Sequence, residues 1–232
     1  MSPGAFHHAL ISSALVVVAS AAASAASPPA FPPDGTYQYA YTQAGQKFGT
    51  TSVVVKHDAV SVSLHEVETL SIGEYDADET LEPLALTPTS YAESLPLTPA
   101  LRATAHYTFD PGGAHLTVDG TSGSTDFRLE PGTTRQIVLD GSMMTGFLML
   151  PSQVKAQGFT TVTTLVPSAG RAIVLQVDST SAPGRPSTVP ASDLGLAISG
   201  STNFIEWYDP RTFVVDEVDV PGQQVVISRV TK

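Results

Sequence analysis

ATAHYTFDPGGAHLTVD, residues 103–119, carries two runs of alternating apolar and polar side chains around Asp110-Pro111-Gly112-Gly113. Proline presets φ in such a turn, and glycine accepts φ > 0. Pairing Phe109 with Ala114 sets the register. Ala105, Tyr107 and Phe109 then share one face with Ala114, Leu116 and Val118. Thr104, His106 and Thr108 share the other with His115, Thr117 and Asp119. One greasy face and one wet face is the pattern of an antiparallel sheet.

The same alternation recurs outward from this hairpin. Runs 37–43 and 48–56 flank Ala44-Gly45, and 60–70 follows. Runs 125–130 and 134–139 flank Pro131-Gly132, and 159–166 and 171–178 flank residues 167–170. Run 189–199 is a further strand, and 203–208, 213–220 and 223–230 form a meander. Val and Thr are abundant, and long helical periodicity is nearly absent, so the fold class is all-β with minor helix. Strongly twisted sheets of ~10 strands curl or split. The expected architecture is a curved antiparallel sheet, a half-barrel or open barrel of about nine to eleven strands, with a loop or short-helix lid.

Two segments break the pattern. Residues 71–101 are rich in proline and acid and read as a long loop inserted in the domain. In 143–158, MMTGFLMLPSQVKAQG, residues 151–156 read as one or two helical turns stopped by Gly158. Near the end, FIEWYDPRTFVVDEVDV (204–220) holds the single tryptophan. Asp-Pro initiates turns, so Asp209 to Thr212 joins two strands, with the Asp side chain bonding backbone ahead of it. Ile205 and Trp207 then face one way, and Phe204, Glu206 and Tyr208 the other. A four-residue loop pairs Trp207 with Val214. A three-residue loop pairs it with Phe213 and asks Arg211 for a left-handed conformation, uncommon outside Gly, Asn and Asp.

Residues 9–19, ALISSALVVVA, are apolar and precede a string of small residues. An apolar core of about 7–15 residues before small-x-small sites reads as a secretory signal peptide. The run is shorter than the ~20 residues a membrane span needs. The expected organisation is a signal peptide at 1–26, a flexible segment at 27–34, and one β domain over 35–232 containing the acidic, proline-rich insert 71–101. The chain is then exported, to a periplasm or beyond. It has no cysteine, so neither a disulfide framework nor a lipid-carrying cysteine is available.

Lys and Arg number 11 against 22 Asp and Glu, a net charge of −11. That balance argues against nucleic acid and against docking on anionic lipid. Glu66, Glu68, Glu74, Asp76, Asp78, Glu79, Glu82 and Glu93 accumulate between Lys56 and Arg102 and read as a solvated acidic surface.

No G-x-S-x-G elbow, thiol or glycine-rich phosphate loop is present. No cofactor is expected, and the domain reads as non-catalytic. Asp140-Gly141-Ser142 has no second copy and lacks the Asp-Thr/Ser-Gly order of a shared-carboxylate site, so it reads as a turn. His106 and His115 form a diagonal pair on the wet face, roughly 7–8 Å apart at the backbone. With Asp119 they are the candidate ligands of a metal-assisted hydrolase; two exposed histidines among threonines is the plainer alternative.

Binding has the stronger pattern. Tyr37, Tyr39 and Tyr41 alternate onto one face, and phenols suit a lining that is apolar along the ring and polar at the tip. Met143 and Met144 near Phe147 suit an adaptable apolar contact. With Trp207, these seven are the candidate ligand-binding residues.

Gly35-Thr36-Tyr37-Gln38-Tyr39, Gly45 and Gly49 around the first hairpin, Ile137-Val138-Leu139-Asp140, and Trp207-Tyr208-Asp209-Pro210 before valine-rich strands complete the picture. In these, the chain resembles exported bacterial β-domains built on the half-barrel of the periplasmic lipoprotein carriers. The resemblance implies a sheet curled round an apolar concavity and a role in handling lipid or lipoprotein in the envelope; it transfers no site residue. The expected partner is a lipophilic ligand or an envelope protein, with a cell-surface interaction module as the other role in view.

Overall fold

The structure, a computed structural model, describes residues 31–98, 101–110, 113–119, 124–128, 136–140, 143–166, 171–179 and 184–231. The expected signal peptide, 1–26, lies outside them, as do 27–30. Residues 31–34 are not loose: Asp34 Oδ1 accepts the His57 N–H at 2.9 Å, and Phe31 meets the His57 ring edge-on at 4.3 Å.

Eight antiparallel strands form the first meander: β1 (Gly35–Gln43), β2 (Gln46–His57), β3 (Val62–Leu70), β4 (Gly73–Leu81), β5 (Pro88–Thr98), β6 (Leu101–Asp110), β7 (Gly113–Val118) and β8 (Ser124–Arg128). A short β9 (Gln136–Val138) leads to helix α1 (Met144–Gln157). The second meander is β10 (Thr161–Val166), β11 (Arg171–Asp178), β12 (Leu194–Ser199), β13 (Phe204–Tyr208), β14 (Val215–Val220) and β15 (Val225–Arg229). All join one sheet of 15 strands, ordered β8 to β1, then β15 down to β9. The sheet is not closed. Every pairing is antiparallel except β9 with β10, and the β9 edge lies against β5.

The 103–119 hairpin has the expected register: Phe109 opposite Ala114, Tyr107 opposite Leu116 and Ala105 opposite Val118. Residues 125–130 and 134–139 do not form a hairpin, since β8 and β9 occupy opposite edges of the sheet. At the Asp-Pro turn, Asp209 Oδ1 accepts the Arg211 N–H at 2.8 Å, as expected of its side chain. Neither proposed register holds: a bulge pairs Trp207 with Glu217 and Tyr208 with Val215, and Phe213 takes the positive φ of 58°.

Within 71–101, residues 73–81 and 88–98 are strands, not a loop. β4 and β5 carry this segment, and its described prolines sit where a ladder tolerates them. Pro83 is in the connection, Pro88 pairs at a register shift, and Pro96 falls at a second irregularity. The acids are also not all solvated. Glu66, Glu68, Glu79 and Glu93 are buried. Glu66 and Glu68 lie in phase with Val62 and Leu64, and Glu79 with Ala77 and Leu81. The period-2 alternation turns them inward with their apolar neighbours.

Helix α1 is longer than residues 151–156, and its first ten residues are all buried, Pro151 among them. A helix apolar on all sides is stable only inside a protein, and here it lies within the curl of the sheet. Gly158 ends it at φ 61°, donating to Val154 O at 2.8 Å, the expected left-handed stop. No local side chain caps its start. Instead Glu66 of β3 accepts the N–H of Met144 on Oε1 and of Thr145 on Oε2, both at 2.8 Å, and the Thr51 hydroxyl at 2.7 Å. A carboxyl group from another strand thus satisfies the open N–H groups that a helix start presents. Glu66→Gln replaces one accepting oxygen by a donor facing a donor. It is expected to cost about 2 kcal/mol, read as a lower urea midpoint with an unchanged slope; an unaltered midpoint would remove Glu66 from this role.

At its other end the helix is held by side-chain amides. Gln153 Nε2 donates to Leu86 O at 2.8 Å and Gln157 Nε2 to Ala85 O at 2.6 Å. These carbonyls belong to the β4–β5 connection. The helix therefore fills the half of the interior beside that connection. The half beside the β1–β2, β12–β13 and β14–β15 turns is left to side chains alone.

Candidate ligand-binding site

That second half contains a cavity of about 460 Å³, within the ~300–1,000 Å³ range of small-molecule sites. Tyr41 of β1 and Phe48 of β2 form one wall, their rings 5.8 Å apart. Phe147 of α1 and Phe204 of β13 form another, edge to face at 5.2 Å. Leu139, Val166, Ile173, Leu175, Val220, Val225 and Ile227 complete the apolar lining. Gln43, Arg171, Ser201, Thr202 and Gln223 also line it; all five are exposed and stand at the turn end, so they form its rim. Deeper in, the Thr164 hydroxyl is buried without a hydrogen-bond partner among the described residues.

The candidate residues divide in this frame. All three tyrosines are buried on the inner face, but only Tyr41 lines the cavity. Tyr39 donates to Val215 O at 3.0 Å and Tyr37 to Pro33 O at 2.7 Å, with the Arg229 guanidinium 5.6 Å over the Tyr37 ring. Phe147 lines the cavity, whereas Met144 packs in the main core. Met143 belongs to a second cluster with Tyr91, Tyr107 and Val138. Trp207 alternates onto the face opposite Phe204, Glu206 and Tyr208. It lies across from Glu217, whose Oε2 accepts the Thr188 hydroxyl at 3.0 Å. The tryptophan is buried on that outer face and does not line the cavity. Phe204, Ile173 and Ile227 were not among the candidates; their signal was strand phase, since Phe204 was already placed on the face away from Trp207.

Next to the cavity the interior is acidic. Ala77 separates Glu66 and Glu93 across three strands, its small side chain leaving room for both. Burial pushes Glu66 up to about 7, against the pull of its three hydrogen bonds. Burial pushes Glu79 up to about 8, with the Glu66 charge adding to it. Glu93 rises to about 9, through burial and then through its hydrogen bond with Asp140. Tyr41 is held well above its ordinary value by burial and by Glu66, so it lines the cavity as a neutral phenol. Glu206, with neither oxygen partnered among the described residues, is pushed well above the carboxylate range by burial.

His106 and His115 are exposed on the outer face, and His106 Nε2 lies 3.4 Å from Asp119 Oδ2. Among the described residues, no three His, Asp or Glu side chains are grouped closely enough to hold a metal ion. No described helix is long and apolar enough to cross a membrane. The chain matches no family model, no curated protein and no solved structure.

Proposed function

We propose that this is an exported, non-catalytic binding domain that holds one lipophilic or amphipathic molecule inside its curled sheet. The observation that carries this reading is the aromatic and aliphatic cavity of about 460 Å³. Interiors normally close to crystal-like density, and a void of this size lined by side chains is a binding site by default. Its extent suits one acyl chain or a compact ring system. The apolar run at 9–19 and the resemblance to lipoprotein carriers support placing that ligand in a cell envelope.

The test is native mass spectrometry of the chain without residues 1–26, after incubation with a lipid extract and re-purification. One adduct per chain is expected. Ile173→Trp, at a half-buried lining position, fills the space and is expected to reduce adduct formation at least about tenfold, by loss of the pocket's apolar surface. A wild-type protein that emerges bare, or a tryptophan variant that loads equally well, rules the reading out.

A further inference from the structure

We infer that the ligand is a single-tailed amphiphile whose anionic oxygen headgroup sits at Arg171, on the rim of the cavity. This rests on the binding role proposed above and specifies its chemistry. Among the described residues, Arg171 is the one charged side chain that lines the cavity, and no described Asp or Glu does. In a chain with twice as many acids as bases, a cation at the mouth of an apolar cavity with no described acid beside it on the lining needs a reason. Its guanidinium makes no hydrogen bond or ion pair with any described residue. By contrast, Arg229 is engaged by Asp216 at 3.1 Å and Arg185 by Ala191 O at 2.8 Å. A guanidinium fork matches the paired oxygens of a carboxylate or a phosphate. Ser201, Thr202, Gln43 and Gln223 add hydroxyl and amide donors on the same rim. The negative charge of the whole chain opposes an approaching anion. That field is screened beyond about 8 Å at physiological salt, whereas a headgroup at the rim touches Arg171 directly. The volume allows one tail, not two.

The experiment measures dissociation constants by displacement of a neutral fluorescent lipid at neutral pH. It compares a long-chain fatty acid, the alkyl phosphate, the fatty alcohol and the fatty amine bearing the same tail. The acid or the phosphate is expected to bind at least about tenfold more tightly than the alcohol, and the tighter of the two identifies the headgroup. Arg171→Gln, an exposed substitution, should abolish that advantage when anion and alcohol are compared within the variant, while Arg171→Lys should keep part of it. The inference falls if the alcohol binds as tightly as the anions, if the amine binds tightest, or if the anion advantage survives in Arg171→Gln. If alcohol binding holds and only headgroup selection fails, the cavity reading stands without this one. If no tail binds, alcohol included, both fall together.

Discussion

Replacing Gly146 by alanine is expected to lower the thermal midpoint by roughly 10 °C, at about 2–4 °C per kcal/mol for a chain of this size. Gly146 lies in the buried first turn of α1, against β9. A Cβ placed there meets Val138 O at 2.0 Å and Leu139 Cδ2 at 2.9 Å. The nearer atom is backbone and cannot swing aside. Two effects compete. Alanine favours the helix by about 1 kcal/mol over glycine, whereas overpacking a tight contact costs about 1–3 kcal/mol, occasionally more. The clash is with a backbone atom of the sheet at 2.0 Å, so overpacking exceeds the usual range at about 4 kcal/mol and, after the helix gain, the net loss is about 3 kcal/mol. Gly158→Ala is the control: nothing lies within 4 Å of that Cβ, and only the left-handed φ of 61° is strained, at a cost of about 1 kcal/mol. A thermal melt in which the two variants behave alike, or in which Gly146→Ala matches wild type, contradicts the close seating of the helix on β9.

The second large effect is a loss of stability as pH rises. Glu66, Glu79 and Glu93 titrate near 7, 8 and 9 in the folded chain, and Glu206 well above its ordinary 4.5. Unfolded, all four titrate near 4.5. Below that value both states hold the protons and nothing is lost. Above it the unfolded chain releases protons that the folded chain keeps, so the folded state binds more and stability falls with pH. The loss accumulates from about pH 4.5 until each folded value is passed. One pH unit of separation is about 1.4 kcal/mol; half the Glu79 separation alone is about 2 kcal/mol, and the group together about 4 kcal/mol or more. Asp34 and Asp58 are shifted the other way, so their contribution is lost only under acid conditions, below the window in question. The thermal midpoint is expected to fall by about 10 °C between about pH 5 and about pH 9. Glu79→Gln should flatten that slope. A midpoint that is constant or rising over this range would show that the inner carboxyl groups are not buried as described.

Those same carboxyl groups mark the limit of what the chain discloses before folding. The 103–119 hairpin is legible because its alternation is clean and its turn residues admit one register. Residues 71–101 are not, because acid and proline are solvent and breaker signals in isolation. What turns Glu79 inward is its phase with Ala77 and Leu81, and that phase becomes decisive only when neighbouring strands cover it. Helix α1 is hidden for a related reason. Gly146 and Pro151 are poor helix formers, and the segment is helical because it is enclosed and because a carboxyl group from a distant strand meets its first N–H groups. Of the site, Tyr41 and Phe147 are readable as aromatics in a patterned setting. Arg171 is not, since a cation opening a strand looks like any flank of a turn.

The adjacency of β1 and β15 in mid-sheet has a consequence in time. Tyr39 faces Arg229, and Thr42 donates its hydroxyl to Val226 O at 3.2 Å. The seam between the two meanders therefore joins nearly the first and nearly the last residues of the domain. Closing so long a stretch of chain is entropically costly and makes assembly slow. Until β15 has been made, the first strand keeps one flank bare, and the apolar chamber beneath it has no fourth wall. The arrangement keeps the sheet open along this seam for as long as β15 is still to come.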